Sequence, residues 1–98
     1  MVDLYADWCV ACKQFEKYTF PDPQVQQALV NFDLMRLDAT ENTLENTEIL
    51  QHYDVLGLPT LLFFDQHGNE LRTARVTGFM DEQEFAKHIN QLVASLTP

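Results

Sequence analysis

The run Tyr5-Ala6-Asp7-Trp8-Cys9-Val10-Ala11-Cys12-Lys13 decides how this chain is read, because it holds the only two cysteines among 98 residues. Two residues separate them. At that spacing one thiolate can attack a disulfide and its neighbour can resolve the mixed disulfide that results. Outward from the pair, Val2-Asp3-Leu4-Tyr5 predicts a buried strand ahead of it, and Phe15, Glu16 and Tyr18 continue at helical spacing behind it. The pair therefore sits at the mouth of a helix fed by a strand. That placement points to redox chemistry.

Other uses of Cys-x-x-Cys fit less well. A structural zinc site normally has four ligands, and here there is no third cysteine, while His52, His67 and His88 are scattered singly. A c-type haem would require His directly after Cys12, where Lys13 stands. A purely structural bridge over two residues closes almost no loop and so adds little stability. The expected cofactor is none beyond the redox-active disulfide Cys9–Cys12 itself, with no metal.

The length allows one small domain with a modest core, and 1–98 reads as a single unit. No run of 18 apolar residues exists, so no transmembrane helix is predicted. Met1 is expected to lead straight into the first strand, with no signal peptide expected in these residues. A lone redox domain would usually carry another strand and helix ahead of this one, so the chain is expected to be a fragment of a larger protein.

Net charge is −9, which excludes nucleic acid as a partner and disfavours an anionic membrane surface. Seven carboxylates and no Lys or Arg lie between Arg36 and Arg72. They read as a solvated acidic face rather than as a dedicated docking patch.

The remaining elements alternate. A first helix runs from near Cys9 to before Phe20-Pro21-Asp22-Pro23. Asp22 as N-cap with Pro23 at the first helical position opens a short second helix through Val25, Ala28 and Leu29. Phe32 to Leu37 alternates as a strand. Leu44 to Tyr53 is predicted helical, with Leu44, Ile49, Leu50 and Tyr53 inward. Thr60-Leu61-Leu62-Phe63-Phe64 suits a buried strand, Asp65-Gln66-His67-Gly68-Asn69 a turn, and Glu70 to Thr77 the returning hairpin partner. Asp81 caps a last helix with Glu84 as its capping-box mate, and Phe85, Ile89, Leu92 and Leu96 form one stripe. The order βααβαββα implies an α/β fold: a mixed four-stranded sheet whose first two strands are parallel, with helices on both faces.

Gly57-Leu58-Pro59-Thr60 is the second chemical feature. A proline opening a strand can be a simple break between helix and strand. Beside a Cys-x-x-Cys pair it can also form a docking edge, and spacing alone leaves both open.

These features together resemble the thioredoxin-like fold. More specifically, Val2 to Lys13, Phe15-Glu16-Lys17-Tyr18-Thr19-Phe20, Val55-Leu56-Gly57-Leu58-Pro59-Thr60, Leu62-Phe63-Phe64-Asp65 and Arg75-Val76-Thr77-Gly78-Phe79-Met80 resemble the C-terminal periplasmic domain of the DsbD thiol:disulfide interchange family. Against that family's pattern, the usual first strand and helix are absent.

The resemblance implies a protein-disulfide reductase that acts as an electron relay. Cys9 would be the exposed nucleophile and Cys12 the resolving thiol. Asp3 matches a buried acid beneath the pair, and Glu16 matches a second acid on the same helical face as Cys9. Pro59 would be cis and lie against the pair. Trp8, Val10, Ala11, Leu58 and Pro59 would line the docking surface. The implied partners are the membrane-embedded and N-terminal periplasmic domains of the same protein. The implied location is the periplasm, tethered to the inner membrane, with this part a monomeric domain. Two other readings remain: a stand-alone cytoplasmic thioredoxin-like reductase, and a non-catalytic binding module, for which loss of a cysteine would be the usual mark.

The residues themselves favour a reductant. Val10-Ala11 offers a Cys9 thiolate neither charge nor side-chain hydrogen bond, and Asp3 and Glu16 oppose it by like charge. The helix N-terminus and Lys13 act the other way. A destabilised thiolate destabilises the reduced form, which makes the dithiol a better donor. A carboxylate inside an apolar strand such as Asp3 is costly unless it has a task.

Overall fold

A computed structural model describes residues 1–96. Its strands are β1 (Val2–Tyr5), β2 (Met35–Asp38), β3 (Thr60–Leu62) and β4 (Val76–Thr77). They form one mixed sheet in the order β2-β1-β3-β4, with β1 parallel to β2 and the other pairs antiparallel. The helices are α1 (Val10–Gln14), α2 (Pro23–Ala28), α3 (Leu44–His52) and α4 (Glu82–Leu96). This is the mixed four-stranded arrangement, with its first two strands parallel, expected from the order of elements.

Register decides which side chains share a face. Asp3 pairs with Leu61, and Leu61 with Val76, so these three look to one side of the sheet. That side carries the main core, in which Phe15, Val25, Phe63, Phe85 and Ile89 pack around Leu61 and Val76. Val2, Leu4 and Leu62 alternate to the other side. There, with Ile49 of α3 and Tyr53 at its C-cap, they line a cleft of about 920 Å³ that contains neither cysteine.

Local signals explain most boundaries. Asp22 Oδ1 accepts the backbone N–H groups of Gln24 and Val25 at 2.9 and 3.3 Å, a cap worth about 1 kcal/mol. Asp81 Oδ1 accepts from Glu84 N–H at 2.8 Å and starts α4. Asp65 Oδ1 holds the turn by accepting from His67 and Asn69, and Gly68 takes the positive φ of +84° that the turn requires.

Five expectations need correction. The first helix is not uniform: Phe15–Thr19 is a π-helical turn in which Phe20 N–H reaches the Phe15 carbonyl at 2.9 Å. β2 begins at Met35 rather than Phe32, because Phe32 N–H closes a turn back to Leu29 and its ring packs toward Phe63. Leu44 is 76% exposed; five residues before Ile49, it lies about 140° around the helix from the inward face. The stripe on α4 ends before Leu96, which is 46% exposed. The return strand is broken: after one bridge between Phe64 and Glu70, residues 71–74 turn inward to bury Ala74, and only Val76–Thr77 pairs with β3.

Candidate active site

β1 ends at Tyr5, and Cys9 caps α1 in extended conformation. Its sulfur accepts the Cys12 N–H at 3.1 Å. A negative charge growing on Cys9 would therefore meet a backbone donor at a helix start. The two cysteines form a disulfide with their Cα atoms 5.2 Å apart. Ala6, Cys9 and Cys12 make a small buried cluster, flanked by Tyr5, Ala11 and Leu58.

The contrast of an exposed Cys9 with a shielded Cys12 is not found. Cys9 is 6% exposed and Cys12 3%. In the disulfide both sulfurs sit under neighbouring side chains, and what separates them is position, Cys9 at the cap and Cys12 within the first turn.

The rim is apolar and open. Trp8 and Val10 project into solvent, and Ala11 is partly covered. Trp8 is fixed by donating from Nε1 to the Thr40 carbonyl at 3.1 Å, and Asp7 N–H donates to Thr40 Oγ1 at 2.9 Å. Opposite lie Leu58 and Pro59, joined by a cis peptide bond. Pro59 itself is buried, and its carbonyl accepts Gly78 N–H at 3.1 Å. Between Trp8 and Leu58 runs a shallow groove of about 290 Å³, also lined by Thr40, Leu50 and Leu56. Leu56 is fully exposed and was not among the expected docking residues. The only sign of it in the sequence was a leucine placed in a loop.

Asp3 is 4% exposed on the sheet face that carries the redox helix. Glu16 follows Cys12 by four residues, about one turn further along. The structure joins these two acids through Arg36, which sequence reasoning had passed over. Arg36 Nε donates to Asp3 Oδ2 at 3.3 Å, its Nη2 contacts Glu16 Oε1, and its guanidinium lies 3.9 Å over the Tyr5 ring. Burial raises the Asp3 pKa above the ordinary carboxylate value; Arg36 opposes that rise, and the Glu16 charge adds to it.

Among the described residues no group of three or more His, Cys, Asp or Glu could hold a metal ion, and no helix is long and apolar enough to cross a membrane.

Comparison with known proteins agrees with this geometry. The family described as "Thioredoxin-like domain" matches residues 1–92. The chain is 55% identical over 92 residues to the thiol:disulfide interchange protein DsbD of Haemophilus ducreyi, covering 94% of this chain and 16% of that protein. With the protein of the same name from Pseudoalteromonas atlantica it shares 57% identity over 93 residues, 95% of this chain and again 16% of the relative. The chain thus spans only a small part of these curated relatives. Among solved structures, the oxidised C-terminal domain of Neisseria meningitidis DsbD superposes with a TM-score of 0.81 at 31% identity, covering 92% of this chain and 76% of that one.

Proposed function

The chain belongs to the thioredoxin-like domain family, and within it to the DsbD C-terminal domains; from that membership we propose that it is a protein-disulfide reductase relaying two electrons. The observation that carries the reading is the Cys9–Cys12 disulfide at a helix start, bordered by an exposed apolar rim.

In the reduced chain the Cys9 thiolate attacks one sulfur of a partner disulfide. The partner's S–S bond breaks, its other sulfur leaves as a thiolate, and a mixed disulfide forms through Cys9. Cys12 then loses its proton and attacks Cys9. The Cys9–Cys12 bond forms and the partner departs as a dithiol, richer by two electrons and two protons. An upstream dithiol regenerates the pair by the reverse steps.

Trp8, Val10, Ala11 and Leu58 provide the docking surface, where a partner segment covers the rim while its sulfur reaches Cys9; Pro59, expected to line that surface, is buried and instead sets the path of Leu58 through the cis bond. Asp3 and Glu16 disfavour the Cys9 thiolate by like charge, which restrains attack on unintended disulfides in an oxidising compartment.

The partners are a membrane-embedded domain of the same protein as electron source and its N-terminal periplasmic domain as acceptor. That places this domain in the periplasm, tethered to the inner membrane. The identity with relatives several times longer supports this over a stand-alone cytoplasmic reductase. The test is to mix the fully reduced chain with the disulfide form of the N-terminal periplasmic domain. One partner disulfide should be reduced for each chain oxidised; no transfer would refute the reading.

A further inference from the structure

Arg36 has no part in the relay just described, yet three groups converge on it. It lies on β2 as the register partner of Asp3. One edge of its guanidinium reaches Asp3, another reaches Glu16, and its flat face covers Tyr5. An ordinary surface ion pair is worth little, because water competes for both partners. This one differs in that Asp3 is buried, so removing the cation would leave a carboxylate without its countercharge in a poorly solvated place. A planar fork can serve two carboxylates while stacking on a ring. A lysine, which presents a compact point charge, cannot reproduce that geometry.

We propose that Arg36 is a positioning residue of the redox site: it fastens Glu16 of the redox helix to Asp3 of β1, supplies the one positive charge between them, and so governs how thiol exchange depends on pH. This rests on the reading that the two acids act on Cys9.

The groups around Asp3 are few. β2 contributes Arg36, whose charge also lowers the pKa of Asp38 further along the same strand. The π-helical turn contributes Glu16, and β1 contributes Tyr5 through its contact with Arg36. β3 presents Leu61, which carries no charge, and α1 presents the cysteine pair and the exposed Lys13. Arg36 is the only cation among the groups acting on Asp3. Without it, burial and the Glu16 charge both push Asp3 toward its protonated form. At the alkaline pH where thiols ionise, the site would carry one positive charge fewer, and a Cys9 thiolate would form less readily.

The test compares wild type, Arg36→Gln and Arg36→Lys. The Asp3 side-chain carboxyl is titrated by carbon NMR in the oxidised chain, and Cys9 alkylation is followed against pH in the reduced chain. Arg36→Gln should move the Asp3 titration to higher pH, and should slow Cys9 alkylation severalfold at the alkaline pH where Asp3 is ionised in both forms, shifting the upper part of that profile to higher pH. Arg36→Lys should move both curves in the same direction by less. A folded Arg36→Gln variant in which either curve superimposes on wild type overturns the proposal. If that variant does not fold, unmoved curves in Arg36→Lys overturn it instead. The Asp3 titration needs no thiol chemistry, so failure here is distinguishable from failure of the relay itself.

Discussion

Asp3 and Arg36 face each other as register partners on parallel strands, and their side chains meet at 3.3 Å with the carboxylate buried and the guanidinium half exposed. The pair brings an acid, a cation and, through Arg36, the redox helix together on one face of the sheet. Most of what can be tested about this site follows from the cost of that buried acid.

Asp3→Asn should stabilise the fold at neutral pH. Burial raises the native pKa of Asp3, so the native state binds this proton more tightly than the unfolded chain does. Stability is then lost as pH rises from the unfolded value, about 3.8, through the raised native value. The asparagine variant lacks that loss. Its melting temperature relative to wild type should climb between about pH 3 and pH 7; a constant difference would show that Asp3 carries no such penalty.

Replacing both acids, Asp3→Asn with Glu16→Gln, should shift Cys9 alkylation in the reduced chain to lower pH. Two negative charges leave the site while Arg36 stays, and each change favours the thiolate. The reduction potential should rise with it, since the reduced form gains stability. Superimposable alkylation curves would mean that the acids serve only the structure.

Leu56→Ser should leave the melting temperature nearly unchanged, because Leu56 buries nothing. Reduction of a protein partner should nonetheless slow severalfold, while reduction of a small-molecule disulfide keeps its wild-type rate. Equal rates toward both substrates would remove Leu56 from the docking groove.

Phe15→Ala should destabilise by about 3–5 kcal/mol, read as a shift of the denaturation midpoint. The Phe15 ring is fully buried against Phe20, Phe79 and Phe85, with centroids 5.2, 5.4 and 5.8 Å away. A loss under about 1 kcal/mol would mean that the core under the redox helix is not organised around this ring.

Elements whose signals are local were legible in the sequence. Asp22-Pro23 and Asp81 cap their helices as read, and the apolar run at Thr60 is a buried central strand. The errors fall where tertiary packing overrides pattern. Residues 71–74 leave the strand because Ala74 is needed in the core, and no alternation announces that. Arg36 is the instructive omission. In the sequence it is only the border of an acidic stretch, and its role depends on the register of β1 with β2, which places it beside Asp3. The cysteine pair, by contrast, carried its chemistry in its spacing together with the strand before it and the helix after it.

The account stands on Cys9 as the attacking sulfur and Cys12 as the one that resolves. Reduced Cys12→Ser and Cys9→Ser chains should each be mixed with the disulfide form of the partner domain, quenched with acid, and separated without reductant. Cys12→Ser should accumulate a mixed disulfide through Cys9, because nothing remains to resolve it, while Cys9→Ser should trap almost none. Equal trapping by the two variants, or trapping by Cys9→Ser alone, would contradict the account.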